Sequence, residues 1–378
     1  MRFLLDYFER LDWVLLTAAM TLTAIGLMAI YGIGISQEPS NLFLFYKQVA
    51  VLAVGILSIA GLIFVDYRHL RSVSLFIYLF GAFLLLLVVF FGVTVNNTTG
   101  WFRFGALSFQ PVEIAKVALT VYLAAFYVRR GRGRLSWATF GISFAATSFY
   151  AGLVMLQPDF GSAMVLFLIW GAMSAFAGLP RSAWIILPLV ALVCGGAIWT
   201  FGLQEYQRGR IESFLNPEAD PRGAGYNAIQ ARIAIGSGGI FGKGIGEGSQ
   251  ARLRFLPAAA TDFIFAVVGE EMGFAGLALV FFLFILLLTR MLKIGYESED
   301  DFASLLLVGL GSIFLIHLFV NAGMNLGIMP ITGIPMPFLS AAASYMLIVF
   351  LCIGLAESVA VRKRGTADAE AGVMLFES

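Results

Sequence analysis

Residues 263–288 read FIFAVVGEEMGFAGLALVFFLFILLL, 26 residues of which only Glu270 and Glu271 are charged. A helix rises about 1.5 Å per residue and the hydrocarbon core of a bilayer is roughly 30 Å thick, so about 20 apolar residues suffice to cross it. This stretch therefore predicts a membrane crossing, and its pattern recurs. Ten such stretches run over residues 13–35, 48–65, 73–93, 112–128, 138–156, 162–177, 184–201, 263–288, 302–320 and 341–359. The seventh is the weakest because Pro188 interrupts it, a break that membrane helices tolerate. The first is too long for the apolar core of a signal peptide and lacks a clear cleavage site, so it reads as a retained span. The expected fold is an all-α integral membrane protein of about ten transmembrane helices.

Composition points the same way. The chain of 378 residues is 60% hydrophobic and 12% charged. Soluble domains are about 45–50% apolar and about 25% charged, so a water-soluble fold of this composition would lack the polar surface to cover itself. A net charge of +1 gives no field for nucleic acid. The two cysteines, Cys194 and Cys352, lie in apolar runs and predict neither disulfides nor a thiolate metal site, and two histidines exclude a His-rich one.

Lysine and arginine of short loops collect on the cytoplasmic side. Arg2 and Arg10, Arg68 and Arg71, Arg129 to Arg134, Arg181, Arg290 with Lys293, and Arg362 to Arg364 fall in alternate connections. The other short connections carry only Lys47 and Arg103. Both termini are thus expected in the cytoplasm. Residues 202–261 form a long loop between spans seven and eight that faces outward; its seven basic residues do not oppose this, because long loops translocate regardless of charge. Within it, residues 224–235 mix polar and apolar positions and suit an interfacial helix. Residues 1–364 therefore read as one polytopic membrane domain, and 365–378, small and polar, as a disordered tail.

Charges are costly in lipid, at least about 2.5–3.5 kcal/mol each on insertion scales, and are functional candidates by default. Glu113 and Lys116 share one helical face at i,i+3 near the outer end of the fourth span, either as a self-neutralising ion pair or as a cation and carboxylate lining a polar cavity. Asp159, in the outer turn Gln157-Pro158-Asp159, either N-caps the sixth span or forms part of a site wall. Asp262 enters the eighth span from the long loop, again as a cap or as a site residue. Glu270 lies about 12 Å deeper and about 80° around the helix, so it alone of the two glutamates shares a cavity with Asp262 on this geometry, and Glu271 pairs with another helix. The glycine run 236–246 is not a nucleotide loop. It offers backbone for close approach, with Lys243 as a point charge suited to a lipid pyrophosphate, or else it is a flexible re-entrant loop. Arg208 and Arg210 sit at the outer interface as anion ligands or as snorkelling anchors. Residues 329–337, with Pro330, Pro335 and Pro337, cannot form a regular helix and point to an outward cavity.

In order and spacing these segments resemble the shape, elongation, division and sporulation (SEDS) family, typified by RodA and FtsW. The resemblance spans nearly the whole chain. It rests on Phe109-Gln110-Pro111-Val112-Glu113-Ile114-Ala115-Lys116, Gln157-Pro158-Asp159-Phe160-Gly161, Tyr206-Gln207-Arg208 and Asn216 to Pro221. It continues through Gly223-Ala224-Gly225-Tyr226, the glycine run to Lys243, Phe255-Leu256-Pro257, Thr261 to Phe265, Glu270-Glu271-Met272-Gly273 and Gly333-Ile334-Pro335. The long-loop wording is closer to RodA. The resemblance implies a peptidoglycan glycosyltransferase of the bacterial cytoplasmic membrane that polymerises lipid II into glycan strands on its outer face during elongation, beside a class B penicillin-binding protein. It places the key acid on Asp262, the fourth-span pair on Glu113 and Lys116, and a tryptophan of the second outer loop on Trp101. Asp262 would be the general base, with Lys116, Arg208, Arg210 or Lys243 meeting the pyrophosphate charge. No cofactor is required; a divalent cation is compatible with the sequence but not demanded by it.

The chain departs from the family pattern at Ala258 to Ala260, where Glu-x-His is usual, and at Ala341 to Ala343, inside the usual Ser-Tyr-Gly-Gly-Ser. Val112 and Gly100 replace a usual Ser and Arg. A lipid II flippase and a non-catalytic scaffold of the wall machinery are the two rival expectations.

Overall fold

The computed structural model describes the chain except residues 1–6, 38, 96–97, 106, 132, 187–188, 190–195, 197–204, 220–222, 250–254 and 377–378; beyond Lys363 it describes backbone alone. Nine helices among the described residues are long and apolar enough to cross a membrane. They are α1 (Trp13–Ile35), α2 (Phe43–Phe64), α4 (Ser74–Phe91), α5 (Pro111–Val128), α6 (Trp137–Met155), α7 (Phe160–Gly178), α10 (Ile264–Glu297), α11 (Asp301–Leu326) and α12 (Ala343–Phe376), with α3 (Arg68–Ser72) a short turn between spans. The expected seventh span, 184–201, falls largely outside the described residues.

Local chemistry sets the starts. Asp12, Ser136, Asp159 and Asp300 each accept a backbone N–H of the first turn of α1, α6, α7 and α11, and Pro111 opens α5, where a missing N–H costs nothing. The helices then sort by burial. The candidate spans in α5, α11 and α12 are 78%, 78% and 89% buried, against 28% and 33% for α2 and α4. The first three are the centre of the bundle. The outer ones turn side chains such as Phe76, Phe90 and Leu57 outward, where lipid rather than water meets them.

Two faces are distinguishable. On one, the Asp12 carboxylate binds the Arg290 guanidinium, the Asp12 N–H donates to Glu357 (2.9 Å), and Arg362 donates to the Ile63 carbonyl (3.2 Å). The start of α1 and the ends of α2, α10 and α12 therefore meet there, together with the basic loops expected in the cytoplasm. The other face carries the long loop. Its helices α8 (Glu205–Leu215) and α9 (Ala224–Ser237) pack on one another, and α9, expected over 224–235, lies against α10 and α11.

One expectation is corrected. The outer connection 92–110 is not merely loop: β1 (Val93–Val95), β2 (Thr98–Phe104) and β3 (Leu107–Phe109) make a small antiparallel sheet, with Trp101 opposite Val93. Its β-branched and aromatic residues suit a pleat. The backbone of α12 runs helical to Phe376, through a segment in which Ala367, Ala369, Glu370 and Ala371 are good helix formers.

Candidate outward-facing site

The irregular segment between α11 and α12 is the hub of the outer face. After Gly327 ends α11 in a left-handed conformation, residues 328–342 form no helix, as the prolines require. Such backbone must find its hydrogen bonds locally, and α11 supplies them. Asn321 donates to the Ile334 carbonyl (2.8 Å) and the Asp262 carbonyl (3.0 Å), and Asn325 adds a second donor to Asp262 (3.1 Å). One turn earlier on the same stripe, His317 Nδ1 lies 3.1 Å from the Pro335 carbonyl. The residues at 317, 321 and 325 recur every four positions and so face one way.

His317 continues into the fourth-span pair. Lys116 Nζ donates to both Glu113 oxygens at 2.9 and 3.0 Å and lies 3.0 Å from His317 Nε2. An ammonium can only donate, so Nε2 accepts and the imidazole proton resides on Nδ1, where Pro335 takes it. All three lysine protons are thereby used, and Glu113, Lys116 and His317 are 2%, 1% and 0% exposed. Tyr345 stacks on the imidazole at 4.7 Å between ring centroids. Lys116 is therefore a buried lock between α5, α11 and the Gly333-Ile334-Pro335 segment; none of its protons is left for an incoming anion.

Asp262 does not cap a helix. α10 begins at Ile264 with no side-chain cap, while the Asp262 backbone closes a turn on the Ala258 carbonyl (3.1 Å). Its half-buried carboxylate faces Gly333: a Cβ there would stand 3.7 Å from Oδ2. Desolvation pushes the Asp262 carboxyl above the ordinary carboxylate range, and the Thr261 side chain and the Arg210 charge pull it back only in part. A carboxylate held in this way is a stronger base than a solvated one.

The two alanine departures meet beside it. Ala341 N–H donates to the Ala260 carbonyl (2.8 Å), and Ser340 donates from its hydroxyl to the Thr261 carbonyl (2.6 Å). What sequence shows as two losses is one apolar contact flanking the acid.

Asp159 is the cap of α7, accepting from Ser162 N–H (2.9 Å) and hydroxyl (2.7 Å); Gln110 reaches it at 3.4 Å, and Gly161, two residues on, abuts the Thr332 carbonyl. Trp101 is half-buried on β2, whose Thr99 N–H donates to the Gln157 carbonyl (3.2 Å). Arg208 and Arg210 lie on α8, which approaches the same turn through Gln207 and the Pro158 carbonyl (3.5 Å).

Lys243 is elsewhere. Its ammonium binds Glu270 (2.8 Å) and Ser249 (3.1 Å), and the Gly246 N–H donates to Glu271 (3.0 Å). Glu270 is thus turned to the glycine run rather than toward Asp262, which lies in the turn before α10 begins at Ile264 and so is not on its helical phase. Further on, α10 breaks at Gly273 (φ +67, ψ −165), a conformation open essentially to glycine alone. The loop repairs the break. Lys243 and Gly244 N–H groups donate to the Glu270 and Glu271 carbonyls (both 3.0 Å), while Phe274 and Ala275 N–H groups donate to the Gly239 and Ile240 carbonyls (both 2.9 Å). Glu271 turns to α1, against Gly32.

Among the described residues no three His, Cys, Asp or Glu side chains gather as metal ligands.

Sequence reasoning missed His317, Asn321 and Asn325. Polar side chains inside the apolar span 302–320 and just beyond it were the available signal.

The family model for the FtsW, RodA and SpoVE cell cycle proteins matches residues 12–365. The chain is 33% identical to the probable peptidoglycan glycosyltransferase FtsW of Geobacter sp. (strain M18), over 95% of this chain and 99% of that one. It is 32% identical to the peptidoglycan glycosyltransferase MrdB of Escherichia coli (strain K12), over 93% and 95%. In structure it is similar to a chain of a peptidoglycan synthase complex that coordinates polymerization and crosslinking (TM-score 0.80, 30% identity, 93% and 98% covered). It is also similar to the Rod shape determining protein RodA of Thermus thermophilus (TM-score 0.69, 27% identity, 93% and 96% covered).

Proposed function

Because the chain belongs to the FtsW, RodA and SpoVE family, and is a peptidoglycan glycosyltransferase of the bacterial membrane, we propose that its substrate is lipid II and that Asp262 is the base of the reaction. The observation that carries the proposal is the placement of Asp262: a half-buried, basic carboxylate on the outer face, fixed through its own carbonyl by Asn321 and Asn325 and opposed by Gly333.

In the proposed step a sugar hydroxyl of one lipid II attacks the anomeric carbon of the growing chain. Its proton passes to Asp262, the new C–O bond forms with inversion, and the bond to undecaprenyl pyrophosphate breaks with its electron pair on the leaving oxygen. Arg208 and Arg210, on α8 at the same turn, meet the leaving charge. Glu113, Lys116 and His317 position the Gly333–Pro335 segment opposite the acid, Trp101 and Asp159 form the far wall, and Lys243 holds Glu270. The partner in this reading is a class B penicillin-binding protein; its support is the likeness to a chain of a peptidoglycan synthase complex. A role in elongation is supported by the RodA-like wording of the long loop.

The purified protein with its transpeptidase partner, given labelled lipid II, forms glycan polymer. A positioned base contributes about 10²–10⁴-fold, so Asp262→Asn lowers the rate at least about 100-fold. Polymer made by Asp262→Asn at the wild-type rate removes the acid from the mechanism.

A further inference from the structure

A cavity of about 260 Å³ opens on the outer face between α8, α9 and the segment that follows α11. Its apolar wall includes Phe214, Leu215, Met329 and Ile331; its charges are Arg210 and Arg232, and among the described residues no acidic one lines it. Arg232 is exposed, makes no ion pair or hydrogen bond among the described residues, and leans its stem on Gly327, where a Cβ would stand 3.1 Å from its Cδ. Gly327 adopts φ +74, so one glycine both ends α11 and leaves the berth for this arginine.

The cavity and the acid share two elements. The segment after α11 lines the cavity with Gly327 to Ile331 and abuts Asp262 with Gly333. Arg210 lines the cavity and also acts electrostatically on the Asp262 carboxylate. Cavities that enclose whole drug-sized ligands run to about 300–1,000 Å³, so this one takes a head group, not a lipid-linked sugar. Two guanidiniums in a lining without a carboxylate among the described residues suit an anion, their fork geometry suits phosphate oxygens, and the apolar wall suits the start of an acyl or prenyl chain.

We propose that Arg210 and Arg232 form a binding site for the phosphate group of an amphiphile, with Arg232 as a specificity residue outside the reacting centre. The proposal rests on the glycosyltransferase reading for one of its two sources, a polyprenyl pyrophosphate; the other source is an anionic phospholipid. The full chain in nanodiscs of zwitterionic lipid is titrated with undecaprenyl pyrophosphate and, separately, with phosphatidylglycerol, and binding is read by native mass spectrometry. Arg232→Gln weakens binding about 10-fold or more, the scale of one charge-assisted hydrogen bond, and Arg232→Lys recovers part of it. Asp262→Asn binds no more weakly than wild type. Weakening confined to the pyrophosphate assigns the site to the substrate, and weakening confined to phosphatidylglycerol assigns it to the membrane. Unchanged binding of both lipids by a folded Arg232→Gln protein overturns the site, whatever polymer the wild type makes. Absence of polymer with Arg232-dependent binding intact would instead overturn the catalytic reading alone.

Discussion

Replacing Lys116 by methionine keeps the length of the side chain and removes its charge. The wild-type ammonium is buried and gives its three protons to Glu113 Oε1, Glu113 Oε2 and His317 Nε2. Removing one partner of a buried ion pair costs about 3–5 kcal/mol because a charge is left without compensation, and the stranded His317 acceptor adds about 1 kcal/mol. Solvent does not screen these terms, since both side chains are within 3% of full burial. The sum, about 4–6 kcal/mol, is comparable to the whole stability of an ordinary domain. Glu113→Gln in the same chain removes the stranded charge, so the double variant recovers at least about 2 kcal/mol of it. The assay is the midpoint of thermal unfolding in nanodiscs at a fixed scan rate, read by tryptophan fluorescence, with polymerisation measured on the same samples. A double variant that melts no higher than Lys116→Met refutes the lock. A single variant that melts like wild type and makes no polymer shows instead that the lysine serves substrate.

Lys243→Met leaves Glu270, 1% exposed, without its cation; it lowers the melting midpoint, and the added Glu270→Gln restores it, whereas a pyrophosphate ligand at Lys243 would raise KM and leave melting unchanged. A Cβ at Gly273 would fall 2.6 Å from the Ile240 carbonyl oxygen in a conformation closed to alanine, so Gly273→Ala costs more than about 3 kcal/mol, while Gly171→Ala, with open space around it in α7, is close to neutral. The Asp262 carboxyl sits above the ordinary range when folded, so its contribution to stability is present below the unfolded value of about 3.9 and lost as pH rises through the folded one. Asp262→Asn therefore melts higher than wild type at pH 8, and the gap closes by about pH 4. The acid limb of polymerisation correspondingly lies above the ordinary carboxylate range.

Legibility followed the range of the interaction. Spans, the helix over 224–237, the proline-broken segment at 329–337 and the Glu113–Lys116 pair depend on residues within a turn or two of one another, and periodicity exposes them. Asp159 kept both readings, since a cap is a local property and wall membership is not. His317, Asn321 and Asn325 were silent because their acceptors, Pro335, Ile334 and Asp262, are 13 to 63 residues away in sequence or on another element. The helical arithmetic that aimed Glu270 at Asp262 failed because it carried the helix back over Asp262, whereas residues 258–263 form a turn and α10 begins only at Ile264. The two alanine patches read as separate losses because nothing in a linear chain announces that 260 and 341 touch. The sheet at 93–109 was hidden because two of its three strands have three residues, too short for any alternation to register.

The repaired break in α10 carries a consequence for how the protein is made. Counting from Ile264, Gly273 lies about 14 Å into the span, where a bare carbonyl or N–H costs several kcal/mol. The four bonds that close the break come from residues 239–244, which precede α10 in the chain and leave the ribosome before it. The helix is thus unfinished until that earlier segment folds back onto it. Docking of the loop and maturation of the helix become one event, so a foreign loop exchanged for residues 236–246 would leave the break open and fail in folding, before catalysis was ever tested.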